Sequence, residues 1–291
     1  MRVLILGVSG LIGSTLFRVL SKSNSYRVGG TLRLPAGSYQ FEGGAATTLY
    51  FGVDFLKSDR WREVITDFSP DVVVNCAGVT KHRLAEFSGD EAHYINAQMP
   101  VILKEELCKL DSRFVQISTD CVFRGERGNY IEEDQPDALD RYGRTKIAGE
   151  VRGRNVLTIR TSTIGHECGT KHGLLEWFMD QKDSCRGFER AVFSGMPTLE
   201  LACIFRDYIL PGDLYGGLFH LAPYPINKLA LLQKIAKHYQ LDLEIIPDQE
   251  FEMNRVLNSQ KFLNATNYRI KDWDTLIIEM RKDWKENYGN A

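Results

Sequence analysis

The 291-residue chain lacks any uninterrupted apolar run long enough to cross a bilayer, which takes about 18 residues or more, so no membrane-spanning helix is expected. It also lacks a basic tract. Its 36 Lys and Arg are matched by 38 Asp and Glu, for a formal charge of −2, so neither nucleic acid nor an anionic membrane surface is an expected partner. There is no internal repeat and no low-complexity segment. The six cysteines, at 76, 108, 121, 168, 185 and 203, form no C-x-x-C pair and no tight framework, which favours free thiols in a reducing cytoplasm. The opening "MRVLILGVSGLIG" is apolar but broken by Gly7, Gly10 and Gly13. No small-residue cleavage site follows a basic start, so it is read as part of the fold and not as a leader.

What is present is an alternation of strand-like and helix-like segments. "RVLILG" (2–7), "YRVGGTLR" (26–33), "ATTLYFGVD" (46–54), "DVVVNCAG" (71–78), "RFVQIS" (113–118) and "NVLTIR" (155–160) read as strands. Between them, 11–22, 61–68, 91–110 and the segment around "RYGRTKIAGEVRG" carry apolar residues at helical spacing. Such alternation predicts an α/β protein with a Rossmann-type, doubly wound parallel sheet. Beyond about residue 165 the pattern becomes mixed, with amphipathic helices in "GLLEWFMDQ" and "INKLALLQKIAKHYQL". The expected division is a dinucleotide-binding domain over 1–165 and a smaller mixed α/β substrate lobe over 166–291, whose strands can extend the main sheet.

Gly7, Gly10 and Gly13 form G-x-x-G-x-x-G between the first strand and the first helix. Glycines there let backbone amides approach a pyrophosphate at the helix N-terminus. At the end of the second strand an acidic residue would bind the ribose hydroxyls of NAD. This chain has Arg33 there and no nearby acid before Glu42. An arginine pairs with a 2′-phosphate, which favours NADPH over NADH. Asp54, ending the third strand, suits either a hydrogen bond to adenine or a helix cap.

Tyr142 and Lys146 stand four apart in "YGRTK" and share a helix face. An ammonium beside a phenol favours the phenolate and is expected to lower the tyrosine pKa. Thr119 follows the fifth strand, at the end of a parallel sheet where ligands bind. Its hydroxyl and the Tyr142 phenol can both hydrogen-bond one carbonyl oxygen.

Taken in order, "GVSGLIG", "VNCAGVT", "INA", "STDCVF", "YGRTKIAGE", "IRTS" and, more faintly, "NRVLNSQKF" resemble the extended short-chain dehydrogenase/reductases, and among them the dTDP-4-dehydrorhamnose reductase family. The resemblance runs through most of the chain. It implies NADPH-dependent reduction of the 4-keto group of a nucleotide-linked 6-deoxysugar, in deoxysugar or surface-polysaccharide synthesis. It implies Thr119, Tyr142 and Lys146 as catalytic residues. It carries cofactor contacts onto Gly7, Gly10, Leu11, Ile12, Gly13, Arg33, Asp54, Phe55, Cys76, Ala77, Gly78 and Thr80, besides Tyr142 and Lys146. Some members of such families dimerise, so a homodimer is an open expectation. The related 4,6-dehydratases place Asp-Glu after the threonine; here Asp120 is followed by Cys121, so dehydration is not expected.

Cys121 stands where this family has tyrosine. Thr119-Asp120-Cys121 is similar to the GDP-fucose synthases, in which a cysteine and a histidine epimerise carbons beside the keto group. His172, just before a predicted helix, stands at a comparable place. Two readings stay open: a C3/C5 epimerase-reductase using Cys121 and His172, or a thiol that merely enlarges the sugar pocket, with His172 a cap or a solvated residue. His166, Cys168 and His172 lack the spacing of a structural zinc site, and no metal is expected. Trp177 and Phe178 are expected in the core. Substrate contacts are expected from Thr119, Asp120, Cys121, Tyr142 and Arg255, the last pairing with a diphosphate or with a surface acid. The regulatory subunit of methionine adenosyltransferase resembles the same reductases, so a non-catalytic NADP-binding role is the third reading.

Overall fold

The structure, a computed structural model, describes residues 1–35, 46–167, 171–212 and 214–288. Glu42 and Cys168, which entered the cofactor and metal readings, lie outside the described residues. Seven parallel strands form the main sheet. They are β1 (Arg2–Leu6), β2 (Arg27–Thr31), β3 (Thr47–Tyr50), β4 (Val72–Asn75), β5 (Arg113–Thr119), β6 (Val156–Thr161) and the strand Gly217–Leu221. Their spatial order is Gly217–Leu221, β6, β5, β4, β1, β2, β3. The order reverses direction at β1, which pairs with β2 on one side and β4 on the other. That reversal opens a crevice at the carboxyl ends of the strands, the usual ligand position in such sheets. The expected doubly wound fold is what the chain adopts, and its seventh strand comes from the second half of the sequence.

The strands read as continuous apolar runs because both faces of the sheet are covered. Alternate side chains divide between the two faces. Val3 and Ile5 join one buried cluster with Leu16, Phe17 and Leu20 of the helix α1 (Leu11–Ser21). Leu4 and Leu6 join the other with Trp61, Val64 and Ile65 of α2 (Arg60–Phe68). Each fully buried aliphatic side chain contributes about 1.5–3 kcal/mol, so this two-sided burial is the main force holding the crevice in shape.

The helix predicted over 91–110 is three pieces on one axis: α3 (Gly89–His93), a π-helical turn Tyr94–Gln98 and α4 (Met99–Lys109). The π turn aims the buried Asn96 out of the helix. Its side chain bonds both the amide (2.8 Å) and the carbonyl (2.9 Å) of Val79 and donates to Thr145 Oγ1 at 3.1 Å. Asn96 thereby ties the loop after β4 to α5 (Arg141–Ala148).

The later segments build a separate buried cluster from Ile164, Leu175, Phe178, Leu231, Ile235, Trp273 and Ile277. The helix Lys228–Tyr239 was expected; the helix Trp273–Tyr288, the longest at 16 residues among the described ones, was not. Phe178 is fully buried as expected, but Trp177 is 41% exposed. The helix Leu174–Met179 buries Leu175, Glu176 and Phe178, and Trp177 falls on its outward face. A three-stranded sheet, Ile226–Asn227, Ala191–Phe193 and Met253–Asn254, completes this region beside β5.

Candidate active site

The glycine loop folds as its spacing predicts. Gly7 has φ +86°, and a Cβ there would lie 2.9 Å from Ala77 Cα. Only glycine permits that left-handed turn pressed against the loop after β4. A Cβ on Gly10 would meet nothing nearer than Gly7 O at 3.5 Å, so the turn is open above it. Gly10 is the N-cap of α1 and brings no side-chain acceptor, and no acid stands in the first turn. The amides at Leu11, Ile12 and Gly13 therefore begin a helix whose positive end is free to meet an anion.

Beside this turn lies an open cleft. Gly7, Gly10, Arg33, Asp54, Phe55, Cys76, Ala77 and Gly78 line it, all of them expected cofactor residues. The shape and chemistry suit a dinucleotide: glycine-rich backbone at one end, an exposed arginine at the other. Asp54 is partly occupied, since its Oδ1 accepts the Leu56 amide at 3.0 Å in the turn after β3; it does not cap α2, whose N-cap is Asp59. Thr80 is exposed at the start of the short 3₁₀ helix Lys81–Glu86 and does not line the cleft. Arg83 and Phe87 do line it, and the sequence reading missed both. The signal available was a second arginine 50 positions after Arg33, on a loop that only tertiary structure brings alongside.

β5 ends on Thr119, and the chain turns at once into a single 3₁₀ turn, Asp120–Val122. Thr119 Oγ1 accepts the Cys121 amide at 3.1 Å and donates to Asp120 Oδ1 at 3.1 Å. The Tyr142 phenol lies close enough to the Thr119 side chain, Cys121 and Asp120 to feel all three. Helix α5 reaches this turn because Gly143 has no side chain: a Cβ there would lie 2.5 Å from Cys121 O. Asp140 caps α5 by accepting the Gly143 amide at 2.7 Å.

Thr119, Asp120, Cys121 and Tyr142 thus form one polar cluster. Its electrostatics differ from the expected picture in one respect. Burial pushes the Tyr142 phenol above its ordinary value, and Cys121 and Asp120 act in the same direction. Lys146 does not pull it down here: its Nζ donates to the Ile117 carbonyl at 2.8 Å. Burial lowers Lys146 itself to about 8, with Glu150 and Cys76 acting to raise it. A phenol held protonated in a buried pocket is a proton donor, and that is the form a carbonyl reduction needs.

Behind the cluster, Glu150 accepts Ser118 Oγ at 2.7 Å and both Arg160 Nε and Nη2 at 2.7 Å. Arg160 is 1% exposed and also meets His220 Nε2 at 3.3 Å. This buried fork clamps β5 to β6 just below the catalytic turn.

On the open side of the turn, Arg255 donates from Nε to Phe123 O at 2.8 Å and from Nη1 to Cys121 Sγ at 3.4 Å. Of the two roles open to Arg255, the structure places it at the site and not in a surface ion pair. The three-stranded sheet explains how it arrives. Asn227 and Asn254 both pair with Val192, so the residues that follow them, Lys228 and Arg255, emerge on either side of the strand that carries Phe193. Lys228 Nζ lies 4.5 Å from the Phe193 ring centroid. Burial lowers Lys228 to about 8, opposed by the charge of Asp120. Burial raises Asp120, opposed by Arg255, by hydrogen bonds with Thr119 and Cys121, and by Lys228. Lys228 was missed in the sequence. Its signal was a cation at the first position of an Asn-capped helix, where the dipole disfavours one.

No hydrogen bond among the described residues joins Cys121 to His172. Burial, with Asp120 adding, pushes the Cys121 thiol up to about 12. The His172 amide donates to Glu167 at 2.8 Å, and its ring is within electrostatic reach of Glu86, at the cofactor side. His166, named in the metal reading, is buried between Glu176 Oε1 (2.9 Å) and Tyr239 OH (2.8 Å).

This combination, a nucleotide-type cleft at the switch point and a Thr–Tyr–Lys cluster beside it, defines a Rossmann-type dehydrogenase/reductase fold. The chain belongs to the family described as RmlD substrate binding domain, whose model matches residues 1–182. A protein of Haloferax volcanii named "Probable low-salt glycan biosynthesis reductase Agl14" is 31% identical over 223 residues, 75% of this chain and 68% of that one. Methionine adenosyltransferase 2 subunit beta of Rattus norvegicus is 32% identical over 149 residues, 51% of this chain and 41% of its own. The match to that subunit therefore spans less than half its length. A crystal structure described as a hypothetical dTDP-4-dehydrorhamnose reductase from Sulfolobus tokodaii superposes with a TM-score of 0.76 at 27% identity, covering 94% of this chain and 98% of that one. Among the described residues no helix is long and apolar enough to cross a membrane.

Proposed function

We propose that the protein reduces the 4-keto group of a nucleotide-linked 4-keto-6-deoxysugar with NADPH. The observation that carries this reading is the grouping of Thr119, Asp120, Cys121 and Tyr142 at the end of β5, with Lys146 anchored on Ile117 of the same strand. Bound NADPH would supply hydride to the carbonyl carbon. Gly7, Gly10 and the start of α1 would hold its pyrophosphate, and Arg33 its 2′-phosphate. Thr119 would donate a hydrogen bond to the carbonyl oxygen, and Tyr142 would give that oxygen its proton, yielding the alcohol. Lys146, still largely charged at neutral pH, would anchor this face of α5 on β5 through the Ile117 carbonyl. Lys228 and Arg255 supply positive charge on the open side, where an anionic nucleotide sugar would lie. A thiol near 12 is almost entirely protonated at neutral pH, which supports reduction without epimerisation.

The test is a panel of dTDP-, UDP- and GDP-linked 4-keto-6-deoxysugars with NADPH and with NADH, following cofactor oxidation and product stereochemistry by NMR. Turnover of one sugar with NADPH is the expected result. Tight NADPH binding with no turnover of any of them overturns it. That outcome favours a second reading, supported by the similarity to a subunit of another enzyme: a cofactor-binding partner protein.

A further inference from the structure

We propose that Arg83 is the second cation of the 2′-phosphate site and that Glu86 is an internal stand-in for that phosphate. The inference rests on the NADPH reading and goes beyond Arg33. Arg33 and Arg83 come from different elements, the end of β2 and the 3₁₀ helix after β4, yet both line the cleft. Their guanidinium carbons lie 5.8 Å and 5.7 Å from the centroid of one ring, Phe87. Phe87 therefore spaces two cations at the adenosine end of the cleft.

Arg83 is not free. Its Nε is 3.0 Å from each Glu86 carboxylate oxygen, and its Nη2 is 2.5 Å from Oε2. This two-pronged contact is the one a guanidinium makes with a phosphate. The Arg83 hydrogen bond holds the Glu86 carboxyl below its usual range, and the charges of His172 and Arg33 act in the same direction. One carboxylate thus feels both arginines, Arg83 and Arg33, at once. A phosphate monoester carries about −1.5 to −2 charge and three acceptor oxygens, enough to engage both arginines. Exchanging Glu86 for the phosphate improves the charge balance of the cleft. The pair is half-exposed, Arg83 at 33% and Glu86 at 48%, so the exchange needs only side-chain rotation. Glu86 then sets how strongly the 2′-phosphate is preferred, because the phosphate must displace it.

The experiment titrates the full chain with 2′,5′-ADP and with 5′-AMP by calorimetry; the two probes differ only in the 2′-phosphate. The wild-type protein is expected to bind 2′,5′-ADP at least about tenfold more tightly. Arg83→Gln should cut that ratio about tenfold and leave 5′-AMP binding unchanged. Glu86→Gln should raise the ratio severalfold, and the gain should fade as salt is raised. A large wild-type ratio that Arg83→Gln does not move overturns the role of Arg83 while leaving the NADPH reading intact. A ratio that Glu86→Gln does not move overturns the role of Glu86. A wild-type ratio near one overturns the NADPH reading itself.

Discussion

The cofactor side and the substrate side of this molecule are built on different principles. The cofactor cleft is built round backbone: a glycine turn, a helix end and the loops after β2 and β4, with Arg33, Asp54 and Arg83 as its charged lining. The substrate side is made of side chains. Lys228, Arg255, Asp120 and Cys121 are gathered from separated segments, and three of the four carry burial-shifted ionisation. Backbone sites tolerate many sequences but fix one shape. Side-chain sites change partners with single substitutions. A protein divided this way can keep its cofactor while its substrate changes.

The strongest way to break the comparison is at the point where the sides meet. Tyr142→Phe removes the proton donor and leaves the cleft untouched. We expect kcat to fall by about a thousandfold, within the range of lost general acid catalysis. NADPH affinity, measured by fluorescence titration, should stay within about twofold, since Tyr142 belongs to the Thr119–Cys121 cluster and does not line the cleft. Equal losses in both would mean that Tyr142 belongs to the cofactor side.

On the substrate side Lys228→Met keeps the stem and removes the charge. KM for the nucleotide sugar should rise about tenfold with a smaller change in kcat, and cofactor affinity should not move. A rise in cofactor Kd of equal size would erase the distinction between the two regions.

The same division explains what could be read from sequence. The glycine spacing, Tyr142-x-x-x-Lys146 and the run of parallel strands each leave a local signature, because backbone geometry demands particular residues at particular intervals. Lys228 leaves only a cation at the start of an Asn-capped helix, and Arg255 only a family resemblance. Both come within reach of Asp120 through the pairing of Asn227 and Asn254 with one strand, a register that no local pattern announces. Arg83 was hidden for the same reason. Lys146 was legible as a residue but not in its environment: its position predicted an effect on Tyr142, while burial and the Ile117 carbonyl decide the outcome.

That environment gives a pH signature. Lys146 is lowered to about 8, so its cation is present below that pH and is lost as pH rises through it. The kcat/KM for NADPH, which reports the free protein, should fall on an alkaline limb near pH 8. Glu150 holds the value up, so Glu150→Gln should move the limb to lower pH. It also removes charge from the buried Arg160 fork and should lower Tm, whereas a purely structural role would lower Tm and leave the limb in place.

The smallest effect is expected at Cys121. The thiol lies in the middle of the cluster and accepts from Arg255 Nη1 at 3.4 Å, a weak contact for a neutral sulfur. Serine preserves the size and the hydrogen bond. If Cys121 only shapes the pocket, Cys121→Ser should keep kcat/KM within about twofold, and reduction run in D₂O should place no deuterium at C3 or C5 of the product. An epimerising thiolate predicts the opposite pair of results, because proton exchange beside the carbonyl would both label those carbons and collapse when the sulfur is replaced. Deuterium that enters with the wild-type protein and is lost with Cys121→Ser would make Cys121 a second catalytic group.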